Sequence, residues 1–179
     1  MTAADPVAFV RSLRAVRSYR PDSVPPETVA ELLEVARWTG SAHNEQPWEV
    51  IVVRDRVTLD ALAAAGTWTK HLAGAPLGIA LVLPGVDPLT EAFDEGRLTE
   101  RIMLAALGRG VGSCIAWFDE PEGAIERARR LLGVPPDRTL RTVLALGYPE
   151  DRRVSSAGNP GPARKPVAAF VHDEHYGRR

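Results

Sequence analysis

Apolar positions along the chain recur at helical spacing in some stretches and form short β-branched runs in others. The alternation predicts interleaved helices and strands. Asp5-Pro6 sets a capping acceptor before a proline suited to the first helical position, and Val7, Phe9, Val10 and Leu13 can supply the buried side of a first helix. That helix is expected to deliver Arg14 and Arg17 at its end, on a shared face if the helix persists. The spacing of Val29, Leu32, Leu33 and Ala36 predicts a second helix over residues 26–38, with Gly40 where a helix C-terminus favours a left-handed residue. Residues 58–65 read as a third helix. Leu98, Ile102, Ala105 and Ala106 mark a central helix, and residues 121–132 a last one, with Ile125, Ala128, Leu131 and Leu132 on one face and Gly133 as its stop.

Strands are predicted at residues 50–53, 77–83, 113–118 and 142–147, each a run of β-branched, aromatic or continuously apolar residues. Strands interleaved with helices indicate a mixed α/β or α+β architecture whose strand order the sequence leaves open. With 179 residues and 45% hydrophobic content, one domain over residues 1–179 can enclose a sizeable core. Prolines and glycines recur from Pro149 to Pro166, so residues 149–179 are expected to form an extended C-terminal arm ending in an apolar segment at 167–171. Such an arm has little of its own domain to bury against and suits docking on a second subunit.

Charge and cysteine content remove several classes. Lys and Arg number 22 against 23 Asp and Glu, a net charge of -1, so no global basic field draws the protein to nucleic acid or an anionic membrane. The longest apolar run, Leu77–Leu83, falls far short of the roughly 20 residues a spanning helix needs. Cys114 is the sole cysteine, which excludes an intrachain disulfide and a multi-cysteine metal site. The N-terminus lacks an apolar core after a basic start, so a cytoplasmic location is the default expectation.

The chemistry is concentrated in residues 40–48, Gly-Ser-Ala-His-Asn-Glu-Gln-Pro-Trp, which join a helix to a strand through far more polar groups than a turn requires. Asn44 and Gln46 can each donate and accept, as recognition of a heterocycle with both kinds of edge demands. Arg14, Arg17 and Arg20 near one terminus, with Arg164 and Lys165 near the other, offer donors for a phosphate; charge spacing alone favours a solvated basic face. Together with the polar loop they suggest a nucleotide-like cofactor.

Other motifs carry less. Gly108, Gly110 and Gly112 follow a helix and precede a strand, the reverse of a dinucleotide fingerprint, and read as a tight turn bringing the strand's backbone close to a ligand. His172 and His175 lack metal-site spacing, so no metal site is expected; for His43 a ligand or proton-donor role and a surface position stay open. Cys114 reads as buried and inert, and the four tryptophans as mostly core, with Trp48 and Trp117 at ligand-facing segments.

Five stretches in order, Arg14 to Tyr19, Gly40 to Trp48, Gly110 to Cys114, Leu146 to Pro149 and Arg164 to Pro166, resemble the successive signatures of the FMN-dependent nitroreductase family over nearly the whole chain. The resemblance implies an α+β fold with a mostly antiparallel central sheet flanked by helices, and a homodimer with exchanged termini holding two FMN molecules at its interface. It implies that Arg14, Ala15 and Arg17 lie at the FMN phosphate and ribityl region, with Arg164 and Lys165 as C-terminal phosphate ligands. Ser41, Ala42, Asn44 and Gln46 would lie along the flavin from the partner subunit. Ser113, on the matching strand, would be a cofactor-binding residue, and the backbone amides of Trp117 and Phe118 would approach the reactive edge of the ring.

The implied activity is NAD(P)H-dependent reduction of a nitroaromatic, quinone or similar small acceptor by a ping-pong mechanism, with the flavin carrying the chemistry and no dedicated catalytic side chain. A flavin-binding or sensing protein without turnover, or a flavin-fragmenting or dehalogenating relative, are the alternatives. Two departures stand out. Leu13 and Ala15 occupy positions where the family often has arginine and serine, weakening the expected phosphate site, and the interval from Gly66 to Leu98 is too short for a large helical lid.

Overall fold

The computed structural model describes residues 5–119, 123–150 and 164–179. Four strands, β1 (Glu49–Val53), β2 (Leu77–Leu83), β3 (Gly112–Trp117) and β4 (Thr139–Gly147), form one sheet of order β1-β2-β4-β3. Every pairing is antiparallel, with Ile51 opposite Ala80, Ala80 opposite Val143, and Ile115 opposite Leu144. Helices α1 (Pro6–Arg11), α2 (Pro26–Arg37), α3 (Arg56–Ala64), α4 (Pro88–Gly108) and α5 (Ala124–Leu132) surround it. The fold is therefore α+β.

Side-chain alternation explains the layering. Along β2, Leu77, Ile79 and Leu81 pack with Leu32 of α2 and Leu98 and Ile102 of α4. Ala80 and Val82 point the other way, into a second core with Leu59 and Leu62 of α3 and Ala128 of α5. A sheet covered on both faces needs strands apolar throughout, and β2 is buried at every position. Gly78 serves this packing, since a Cβ there would lie 2.9 Å from Leu59 Cδ2.

Several expectations need correction. The cap at the first helix holds, with Val7 N–H donating to Asp5 Oδ1 at 2.9 Å, but α1 ends at Arg11 and buries no residue, leaving Val7, Phe9 and Val10 exposed. Arg14 and Arg17 then lie on extended chain, where residues three apart face opposite sides, so the shared helical face does not exist. Gly40 is not left-handed; a Cβ there would meet the movable end of the Arg97 side chain at 2.5 Å. Leu131 turns outward from α5, while Gly133 does terminate that helix at φ 66°. Trp38, Trp68 and Trp117 are 66%, 65% and 41% exposed, which removes them from the core; only Trp48 packs against it. Most of the proline-rich arm, residues 151–163, lies outside the described residues. The apolar segment beyond it is a short 3-10 turn, Val167–Ala169, with exposed Val167 and Phe170.

Between Gly66 and Leu98 the chain forms a 3-10 turn at Lys70–Gly74, then β2 and the first half of α4, with no inserted helix. No described helix is long and apolar enough to cross a membrane.

Candidate functional site

The extended segment after α1 runs along the outer edge of β3. Ala15 pairs with Ser113 in a parallel bridge, Val16 N–H donates to the Ser113 carbonyl at 2.9 Å, and Arg20 N–H to the Tyr148 carbonyl at 2.8 Å. Gly112 makes this approach possible, because a Cβ on it would sit 2.8 Å from the Val16 side chain. The glycine turn thus brings β3 close to the chain's own N-terminal segment. Tyr19 anchors the segment, its hydroxyl donating to the Val16 carbonyl and lying 3.1 Å from the Ala145 carbonyl.

This path sends the two arginines to different places. Arg14 lines a pocket of about 730 Å³ together with Ala15, Arg11, Arg164, Glu100 and Met103. Two sequence-predicted phosphate ligands, Arg14 and Arg164, therefore converge from opposite ends of the chain. Lys165 follows, exposed, and is not on the pocket wall. Arg17 lies instead by Cys114 and His71: its charge helps depress the His71 imidazole, which burial lowers most and the Cys114 and Ile115 backbone partly restores. The Cys114 thiol is pushed up by burial, with Arg17 opposing, and at 2% exposure is shielded from solvent as expected.

His71 was not foreseen. It sits in the 3-10 turn Lys70–Gly74, and its Nε2 is buried without a hydrogen-bond partner among the described residues. Because the turn had no periodic pattern, only tertiary packing reveals that it meets the β3 edge. The Ser113 hydroxyl is likewise buried and unpartnered among the described residues.

The β3 edge itself is selective. Phe118 N–H donates to the Arg141 carbonyl at 2.9 Å, which makes Trp117 and Thr142 a non-hydrogen-bonded pair across the ladder. Ser113, Ile115 and Trp117 consequently direct their backbone groups away from β4, and Trp68 forms an isolated bridge with Trp117 on that side. Phe118 corrects the expectation for that residue: its side chain is fully buried and its amide is committed to Arg141, so it offers no donor to a ligand.

The polar loop carries the structure's densest backbone strain. His43, Asn44 and Gln46 have φ of 49°, 58° and 51°, left-handed values that cost non-glycine residues about 1–2 kcal/mol each. Ser41 Oγ accepts from Gln46 N–H at 2.8 Å, and Gln46 Nε2 donates to the Asn44 carbonyl at 3.1 Å, which holds the turn. The His43 and Asn44 side chains project into solvent. Beneath the loop, Ala42 N–H faces Asp94 Oδ2 at 3.4 Å, and Ser41, Ala42, Phe93, Asp94 and Arg97 line a second pocket of about 350 Å³. Asp94 is 1% exposed, and Arg97 Nη1 stands 3.6 Å from its Oδ1. Among the described residues no group of His, Cys, Asp and Glu side chains is arranged to hold a metal ion.

A helix-covered antiparallel sheet, an arginine-lined pocket at its edge and a strained polar loop define the class: an α+β protein with a cationic pocket beside a strand edge. Comparisons with known proteins place it more closely. The Nitroreductase family model matches residues 10–70, which contain both the arginine segment and the polar loop. A protein of Archaeoglobus fulgidus with the provisional name NADH dehydrogenase/NAD(P)H nitroreductase is 33% identical, covering 81% of this chain and 86% of the relative. The NADH dehydrogenase of Thermus thermophilus is 30% identical, covering 77% and 83%. A provisionally named nitroreductase from Desulfovibrio desulfuricans, solved in complex with FMN, superposes with a TM-score of 0.78 at 26% identity over 98% of this chain and 99% of that one. The chain belongs to the nitroreductase family and is an oxidoreductase of that family.

Proposed function

We propose that this protein is an FMN-dependent oxidoreductase that uses NADH or NADPH to reduce nitroaromatic, quinone or similar small acceptors. The observation that carries the reading is the convergence of Arg14 and Arg164 on one pocket at the end of the β3 edge. The fit to FMN is chemical. A phosphate monoester needs several charged donors, which guanidinium groups supply in forked geometry, and the ring system needs polar backbone edges beside it. Bound FMN would supply the redox chemistry, taking hydride from the nicotinamide donor and passing the equivalents to the acceptor in ping-pong order.

The residues of this chain hold and orient. Arg14, Arg164 and the nearby Lys165 supply phosphate contacts, while Arg17 on the opposite side of the extended segment serves the ribityl region and the strand edge. Ala15 and Ser113 align that segment. The outward-facing backbone of Trp117, which Trp68 bridges, lies at the strand end that the ring's reactive edge would approach. Ser41, Ala42, Asn44 and Gln46 line the ring's other side.

That arrangement is a homodimer with the loop and the arginines of one site drawn from different subunits and the C-terminal arms exchanged. Ser41 and Ala42 line a different pocket from Arg14 and Arg164. The apolar groups around both pockets, Val7, Phe9 and Val10 of α1 with Leu89 and Phe93 of α4, stand exposed in a single copy, as an interface would require. Residues 1–179 then act as one FMN-binding domain in a cytoplasmic enzyme.

The test is spectroscopic. Protein loaded with FMN should be yellow and should bleach anaerobically on addition of NADH or NADPH, then regain colour with a quinone or nitroaromatic. FMN-loaded protein inert to both nucleotides would overturn the reductase reading.

A further inference from the structure

Arg11 is the unassigned cation of the anion pocket. It occupies the last turn of α1 and lines the same 730 Å³ pocket as Arg14 and Arg164. Arg14 is partly engaged already: its Nη1 donates to the carbonyl oxygens of Arg11 and Leu13, both at 2.7 Å, closing the C-terminal end of α1. Arg11 makes no side-chain hydrogen bond or ion pair among the described residues, so its whole donor fork is open to a ligand. On the same wall the side chains of Leu13 and Ala15 offer no donor. Among the described residues Glu100 is the single carboxylate there, against three guanidinium groups, so that wall is cationic.

We propose that Arg11 is the principal guanidinium ligand of a phosphate monoester dianion in this pocket, supplying the charge that Leu13 and Ala15 withhold. The inference rests on the flavin reading above and deepens it by naming where the phosphate is held. A planar fork with all its donors open can engage two phosphate oxygens at once, whereas Arg14 has one of its two terminal nitrogens already bonded to backbone carbonyls. The seat is thereby displaced from the extended segment onto the end of α1. Arg164 closes it from the other terminus.

Riboflavin separates the two readings, because it has the ring and ribityl chain of FMN and lacks the phosphate. Equilibrium binding of FMN and riboflavin is measured on the full-length protein and on its Arg11→Ala and Arg11→Lys variants, by quenching of flavin fluorescence. The substituted position is exposed, so folding is checked simply by an unchanged melting temperature. Arg11→Ala should weaken FMN by about tenfold or more and leave riboflavin within about twofold. Arg11→Lys should fall between, since a point charge replaces the fork. Inorganic phosphate should compete with FMN on the unaltered protein and compete less on Arg11→Ala. If the unaltered protein prefers FMN to riboflavin while Arg11→Ala keeps the same preference, or loses both ligands equally, the assignment of Arg11 is wrong. Equal affinity for FMN and riboflavin would remove the phosphate seat while leaving a ring site. Binding of neither flavin would refute the FMN reading itself, and this proposal with it.

Discussion

Val16 lies over Gly112 so closely that a Cβ added to the glycine would stand 2.8 Å from three carbon atoms of the valine side chain. This contact, with Val16 N–H bonded to the Ser113 carbonyl, fixes the segment that carries Arg14 and Arg17. The neighbour is a branched side chain on hydrogen-bonded backbone and has little freedom to move. Gly112→Ala should therefore displace the segment, costing about 1–3 kcal/mol of stability and weakening FMN binding in parallel. Chemical denaturation and flavin titration on the same variant check both. Full stability with full flavin affinity would mean that the contact does not set the segment's position.

Tyr19 fastens the far end of that segment. Burial pushes its hydroxyl well above the ordinary phenol range, with the neighbouring Cys114 adding to the effect and Arg17 opposing it, so it acts as a neutral donor to the Val16 carbonyl, with the Ala145 carbonyl 3.1 Å away. Tyr19→Phe keeps the ring packing and removes the donor. A loss of about 1–2 kcal/mol is expected in urea denaturation, since the Val16 carbonyl loses its donor.

Burial lowers the His71 pKa, and Arg17 lowers it further. Its folded value thus lies below the ordinary imidazole value of about 6.5, so the stability it permits is complete above that pH and is lost as pH falls through the folded value. The native protein should lose stability on acidification below about pH 6.5 more steeply than His71→Asn does. Arg17→Gln removes a repelling charge and should move the His71 titration upward when followed by NMR. An unmoved titration would place Arg17 elsewhere.

The polar loop stores backbone strain that Ser41 helps hold through its bond to Gln46 N–H. Ser41→Ala should relax the loop and weaken FMN binding without lowering the melting temperature much. At His43, whose side chain is exposed, glycine relieves the left-handed backbone and should stabilise the protein by up to about 1 kcal/mol. Thermal melts of the two variants, read beside flavin titrations, separate strain from contact.

Much of the fold was legible because its elements carry strong local signals. Leu77–Leu83 reads as a buried strand from composition alone, and Asp5-Pro6 and Gly133 mark helix ends through their backbone chemistry. Strand order was not legible, since antiparallel pairing of β2 with β4 joins segments far apart in sequence, Leu77 with Leu146 and Leu83 with Thr139, and leaves no local trace. The exposed tryptophans and the apolar face of α1 misled for a physical reason: apolar residues that await a partner surface look the same in sequence as residues of the core. In the candidate site, the polar loop and the terminal arginines stood out by composition. The separation of Arg14 from Arg17, the engagement of the Phe118 amide and the presence of His71 depend on which edge of β3 each segment meets.

The central claim, that one flavin is held by the loop of one subunit and the arginines of the other, is tested most directly by a mixed dimer. Asn44→Ala and Arg164→Ala chains, differently tagged, are co-expressed and the heterodimer is isolated by sequential affinity steps. Each homodimer should bind FMN weakly at both sites. In the heterodimer, crossed sites place both defects in one site and leave the other intact, so titration should find one site of native affinity per dimer. Two weak sites and none of native affinity would show that each flavin is held within a single chain, and would contradict the account.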